Sequence, residues 1–246
     1  MPWRVLLGLW VLFFVATACS EFDYGRLSLP PRASGPPPTV YTVRRGDTLF
    51  SIAWRYNLDY RRIARWNGVD PPYTIYPTQR LRLRPPVAAS QSTARGSHRV
   101  TSAAKPQPAT KPPLPEPISP PDSEIVWQWP AEGAIARRFH PDGAGMQGIM
   151  LQGRLGEPIR AAADGRVVYS GNGLPGYGNL IIVKHSSVYL TAYGYNRELL
   201  VHEGEQVHAG EIIARMGFGP AHQPAAHFEI RRNGEPVDPL RYLPPH

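Results

Sequence analysis

The chain has 246 residues, including 29 prolines and 23 glycines, with a net charge of +8 and a pI near 9.8. That length allows one or two domains, and the unevenly placed prolines favour small domains joined by extended linkers. Its single cysteine excludes an intramolecular disulfide, while the positive charge suits either a solvated surface or a polyanion such as nucleic acid, anionic lipid or cell-wall carboxylates.

Arg4 precedes an apolar run from Val5 to Val15, followed by Ala16-Thr17-Ala18 and Cys19. One cation, a short apolar core and small residues before a break predict a secretory signal over residues 1–18. The run is too short for a membrane span, which needs about 20 apolar residues. The small residues before Cys19 resemble a bacterial lipobox, although Ala16 stands where leucine is commoner. The resemblance implies cleavage before Cys19 and a lipid on its sulfur, and so accounts for a lone thiol in an exported chain. In that pattern Ser20 implies retention in the outer membrane. Export argues against nucleic acid as the partner. Residues 19–38 contain Pro, Ser and Gly without periodicity and read as a tether.

Residues 39–84 change character. VYTV alternates as a strand does. Gly46-Asp47-Thr48 punctuates the chain, with Asp47 the expected N-cap. Leu49, Ile52, Ala53 and Tyr56 then follow at helical spacing, and Asn57-Leu58-Asp59 breaks the helix. Tyr60, Ile63 and Ala64 predict a second helix that stops at Asn67-Gly68. Residues 81–83 (LRL) close the unit with a strand. The residues Tyr41-Thr42-Val43, Gly46-Asp47-Thr48-Leu49, Ser51-Ile52-Ala53, Asn67-Gly68 and Ile75-Tyr76-Pro77 resemble a LysM domain, with Thr78 departing from the usual glycine. The resemblance implies binding of N-acetylglucosamine-containing glycan between two loops. Gly46, Asp47, Thr48, Leu49, Tyr73, Ile75 and Tyr76 are the candidate residues, Asp47 and Leu49 being mainly fold-forming. Backbone groups there can meet acetamido groups while apolar side chains meet the acetyl methyl.

Residues 85–123 carry many prolines and alanines and no apolar period, so they predict a disordered Pro-rich linker. At ~3.1 Å per residue it would reach on the order of 100 Å when extended.

Residues 124–246 are β-rich. Short alternating runs recur at 135–137, 165–169, 179–184, 189–195, 211–216 and 226–231, with Gly and Asn at the turns. This spacing predicts a mainly antiparallel sheet. The turn pattern around Gly204 and Gly210 also occurs in biotinyl and lipoyl carrier domains. A carrier needs an exposed lysine at a hairpin tip, and Lys184, the one lysine of this region, lies inside an apolar strand. Ala163-Asp164-Gly165, Gly176-Tyr177-Gly178-Asn179, Lys184-His185, His227-Phe228-Glu229-Ile230-Arg231 and Val237-Asp238-Pro239 instead resemble the lysostaphin-type, or LytM-like, metallopeptidases. The fold class expected for the whole chain is therefore mixed: a small βααβ unit, a linker, and a mainly antiparallel LytM-like unit of the duplicated hybrid kind.

Active members of that family need three protein ligands on zinc and an open position for water, with further histidines handling protons. Mapped by the resemblance, the ligand positions hold Met146, Met150 and His227, and the proton-handling positions hold Tyr195 and Ala225. A thioether is a poor zinc ligand in an N/O site, so no metal, no cofactor and no catalysis are expected. His140, His185, His202, His208 and His222 do not rebuild a ligand set by their spacing. Strand alternation places Tyr193 with Tyr195, and Ala225 with His227 and Glu229. Met146, Met150, Tyr193, Tyr195, Ala225 and His227 are then the expected partner-binding groove, adaptable and partly apolar. The whole arrangement resembles the NlpD-like amidase-activator lipoproteins. That implies an outer-membrane lipoprotein facing the periplasm, at the septum, that binds peptidoglycan glycan strands and activates an N-acetylmuramoyl-L-alanine amidase. A peptidoglycan metalloendopeptidase with an unrecognised metal site and a passive membrane-to-wall tether are the competing readings.

Overall fold

Two β-strands and two helices form the first folded unit of the computed structural model, which describes residues 36–86, 125–141, 147–220 and 222–245. Strand β1 (Val40–Thr42) pairs antiparallel with β2 (Arg80–Arg82), Tyr41 lying opposite Leu81. Alternation turns Tyr41 and Leu81 inward and Val40, Arg80 and Arg82 outward. Helix α1 (Leu49–Arg55) begins at Thr48, not Asp47. Thr48 Oγ1 accepts from the Ser51 amide at 3.0 Å and Ser51 Oγ accepts from the Thr48 amide at 3.0 Å, a capping box. Asp47 is withdrawn from the cap because its carboxylate accepts from the Tyr41 hydroxyl at 2.7 Å and the Arg44 amide at 2.8 Å. Helix α2 (Tyr60–Asn67) is capped by Asp59 and ended by Gly68, whose φ of 62° needs no Cβ to be accommodated.

The second unit is a large antiparallel sheet. Its strands are β3 (Ile135–Arg137), β4 (Ile149–Gln152), β5 (Pro158–Arg160), β6 (Gly165–Gly171), β7 (Asn179–Lys184), β8 (Tyr189–Leu199), β9 (Gln206–Val207), β10 (Ile212–Phe218), β11 (Pro224–Arg232) and β12 (Glu235–Val237). Strand β11 is central: β4 lies on one edge, and β8 and β10 lie on the other. Among the described residues the expected βααβ unit and the mainly antiparallel unit are both observed, while the expected linker lies almost wholly outside them.

Strand β11 sorts its side chains between two cores. Ala226, Phe228 and Ile230 join Ile149, Leu151, Val183 and Met216 in one. Ala225 packs on the opposite side with Met150, Tyr177, Leu180, Ile182 and Tyr195. That second core is continuous with Leu49, Phe50, Trp54 and Tyr60 of the first unit. Helix α1 explains the continuity. Every residue from Leu49 to Trp54 is buried, so a helix covered on all sides has one face for its own unit and another for the sheet.

Candidate functional site

The site grows from the face of β11 that carries His227, Glu229 and Arg231. All three are buried. His227 pairs across strands with Met150 of β4 and Gly194 of β8. A Cβ at Gly148 would lie 2.9 Å from His227 Cε1 and closer still to the Phe228 carbonyl, so only glycine lets β4 approach the imidazole. The Tyr177 ring meets His227 edge-on at 5.6 Å and the Tyr195 ring at 6.5 Å.

Glu229 is the hub of this face. Arg231 Nε donates to Oε1 at 2.7 Å, and the Tyr177 hydroxyl donates to Oε2 at 3.2 Å. His227 Nε2 stands 3.3 Å from the same Oε2. Arg231 then runs into the first unit. Its guanidinium lies 3.7 Å from the Trp54 ring centroid, and Nη1 donates to the Trp54 carbonyl at 3.0 Å. A charge-assisted chain thus links the LysM-like helix to the imidazole.

Met150, Tyr195, Ala225 and His227 come together as expected, but not as an open groove: they are 7%, 9%, 6% and 0% exposed. Methionine and tyrosine fill the space between the strands. What remains open adjoins Tyr195, a trough of about 440 Å³ lined by Leu155, Gly178, Tyr195, Arg197 and Phe218. Leu155 and Phe218 are 44% and 50% exposed at its rim. Burial pushes the Tyr195 phenol up to about 12, with Arg137 opposing, so it is neutral at physiological pH.

Tyr193 does not belong to this site. Its hydroxyl accepts from the Ala162 amide at 2.8 Å and its ring packs on Phe228 at 5.4 Å, in the other core. Alternation fails because Tyr195 sits at φ 63° and the pairing of β8 with both β7 and β10 shifts register there. A left-handed tyrosine is a strained residue, of the kind found at functional positions. Met146 and Cys19 lie outside the described residues.

In the first unit the glycan candidates divide. Leu49 is fully buried, Thr48 caps α1, and Asp47 is 3.6 Å from Arg55. Gly46 and Tyr76 are exposed. Tyr73 meets Phe50 and Tyr60 at 6.0 and 5.2 Å, and Ile75 packs on the core that spans both units. A separate depression of about 470 Å³ opens between the end of α2 and the 70–79 loop, lined by Asn67, Asp70, Thr74, Tyr76 and Gln79.

Sequence reading missed four contributors. They are Tyr177, Arg231, Leu155 and Phe218. For Arg231 the signal was present, since a cation two residues beyond Glu229 on a strand shares its face.

This combination defines a peptidoglycan-associated chain with a LysM domain at residues 41–84 and a peptidase family M23 fold at residues 144–239. The chain belongs to the NlpD/LppB lipoprotein family. It is 40% identical, over 98% of its length and 92% of the relative's, to the lipoprotein NlpD/LppB homolog of Pseudomonas aeruginosa. It is 41% identical to the lipoprotein YgeR of Escherichia coli, over 84% of this chain and 82% of that one. The murein hydrolase activator NlpD of Escherichia coli is 35% identical over 84% of this chain and 68% of its own length.

Proposed function

We propose that this protein is a non-catalytic activator of a periplasmic N-acetylmuramoyl-L-alanine amidase. Residues 1–18 act as the export signal, and Cys19 carries the lipid that holds the chain to the inner face of the outer membrane. Residues 19–38 and 85–123 are spacers. The 39–84 unit grips peptidoglycan glycan strands, and the 124–246 unit docks the amidase at the septum. The names of the relatives support activation rather than hydrolysis.

The donor set supports the same reading. A zinc ion of the M23 kind would have to sit beside His227, where the cross-strand neighbour is the thioether of Met150. The nearby carboxylate, Glu229, is engaged by Arg231 and Tyr177. Among the described residues no three His, Cys, Asp or Glu side chains come together as a metal site. These residues do not fit zinc.

The observation that carries the docking claim is the apolar trough beside Tyr195, with Leu155 and Phe218 exposed at its rim. An amphipathic segment of the amidase fits such a surface. Activation follows when the trough binds the open amidase better than its closed form. Dye release from labelled peptidoglycan, with amidase and this protein alone and mixed, tests it. Leu155→Asp and Phe218→Asp each put a carboxylate where an apolar contact is proposed, an uncompensated buried charge, and are each expected to cut activation about tenfold, while sedimentation with peptidoglycan is unchanged. Activation at the unmodified level by both variants overturns the docking site. Chelator-sensitive lysis by the protein alone overturns the non-catalytic reading.

A further inference from the structure

The two folded units meet along a specific junction. Beyond the Arg231–Trp54 contact, Arg61 Nη2 donates to Asn233 Oδ1 at 2.6 Å and Arg55 Nη2 donates to the Gly173 carbonyl at 3.1 Å. The Lys184 ammonium lies 6.0 Å from the Tyr73 ring centroid, and the Tyr60 hydroxyl reaches the Ser187 carbonyl at 3.5 Å. Gly234 approaches α2 so closely that a Cβ there would lie 2.7 Å from the Asp59 amide nitrogen.

The surface the LysM unit spends on this junction is its ring cluster. Phe50, Tyr60 and Tyr73 pack with centroids 4.5 to 6.0 Å apart, and Phe50 and Tyr60 are buried. Tyr73 comes from the second of the two loops expected to hold glycan. The first loop is tied in through Asp47, whose ion-pair partner Arg55 is the residue that reaches Gly173. Aromatic rings flanked by loop amides suit the C–H faces and acetamido groups of amino sugars. A glycan that needs both loops therefore meets the sheet already in place.

We propose that this ring face has two alternating occupants, the chain's own LytM-like sheet in a closed form and N-acetylglucosamine-containing glycan in an open form, so that wall binding releases the sheet. The inference rests on the glycan-binding part of the proposed function. Two features make the contact exchangeable. The arginines that cross the junction, Arg55, Arg61 and Arg231, each reach a carbonyl or an amide oxygen of the other unit. The 38 residues from 87 to 124 that join the units can span on the order of 100 Å at ~3.3 Å per residue, so the closed form is held at a modest effective concentration. Release would also remove Trp54 from Arg231 and so loosen the chain through Glu229 to His227 and Tyr177, beside the trough.

The test uses the full chain and the hexamer of N-acetylglucosamine. Hydrogen exchange of the unmodified protein is expected to quicken, at saturating hexamer, in the 186–189 and 232–235 turns, which belong to the LytM-like unit and touch no sugar. A closed form populated at roughly 90% weakens apparent glycan binding about tenfold. Arg61→Glu with Lys184→Glu, which breaks the junction at two edges, is therefore expected to bind hexamer about tenfold tighter than the unmodified protein. Exchange in those turns that is unchanged or slower overturns the proposal, and does so even if the double variant fails to fold. Equal affinity of the two proteins overturns it too, since the glycan then sits elsewhere, as in the open depression beside Tyr76. Hexamer binding to neither protein is a third overturning result. Amidase activation is scored separately. Its absence alongside the expected exchange and affinity changes removes the activator reading and leaves the junction proposal standing.

Discussion

At the scale of single residues, Glu229 and Arg231 decide what the buried face tolerates. A carboxylate and a guanidinium, each almost fully excluded from water, survive there because each satisfies the other at 2.7 Å. Arg231 Nη1 also donates to the Trp54 carbonyl, and the guanidinium lies over the Trp54 ring. Arg231→Met takes the guanidinium away from the buried Glu229 carboxylate. Stranding one member of a buried pair costs about 3–5 kcal/mol, and urea denaturation is expected to read a loss of that order. Adding Glu229→Gln removes the stranded charge and recovers most of it. If the single variant is as stable as the parent, the pair is not structural.

At the scale of elements, β11 was legible and β8 was not. Period-two alternation put Ala225, His227 and Glu229 on one face, and they share it. On β8 the same rule fails past Gly194, because Tyr195 takes a left-handed φ that no pattern of side chains announces. The closure of the expected groove was equally hidden: alternation says which residues share a face, but not that Met150 and Tyr195 collapse onto an imidazole. Tyr193, displaced to the other core, instead completes a hydrogen-bonded chain. His185 Nδ1 donates to the Asp164 carbonyl at 2.7 Å, and its Nε2 faces Thr191 Oγ1 at 2.7 Å, which in turn bonds the Tyr193 hydroxyl at 2.9 Å. Burial lowers the His185 pKa from 6.5 to about 4. Between those values the unfolded chain holds a proton that the folded chain refuses, so stability present above pH 6.5 is lost as pH falls towards 4. At 1.36 kcal/mol per unit the loss is roughly 3 kcal/mol. Urea midpoints across that range are expected to show it, and His185→Gln to flatten that part of the slope.

At the scale of the whole molecule, the LysM motif was readable residue by residue, yet its docking side was not, because the residues that identify the fold concern its own core. The clue lay in α1, where Phe50 and Trp54 form a second apolar stripe, four residues apart and off the Leu49–Ile52–Ala53 face. A unit of about 50 residues buries too little surface to be more than marginally stable alone. Here its core runs without a break into the face of the sheet, so the larger unit must lend it cooperativity. Scanning calorimetry of the full chain is therefore expected to give one unfolding transition. Breaking the junction with Arg61→Glu and Lys184→Glu should split it in two, the smaller and earlier one belonging to the LysM unit and raised again by N-acetylglucosamine hexamer, since a ligand of the folded form stabilises that form. Two transitions in the unmodified chain, or one in the double variant, would mean that the shared core does not couple the units.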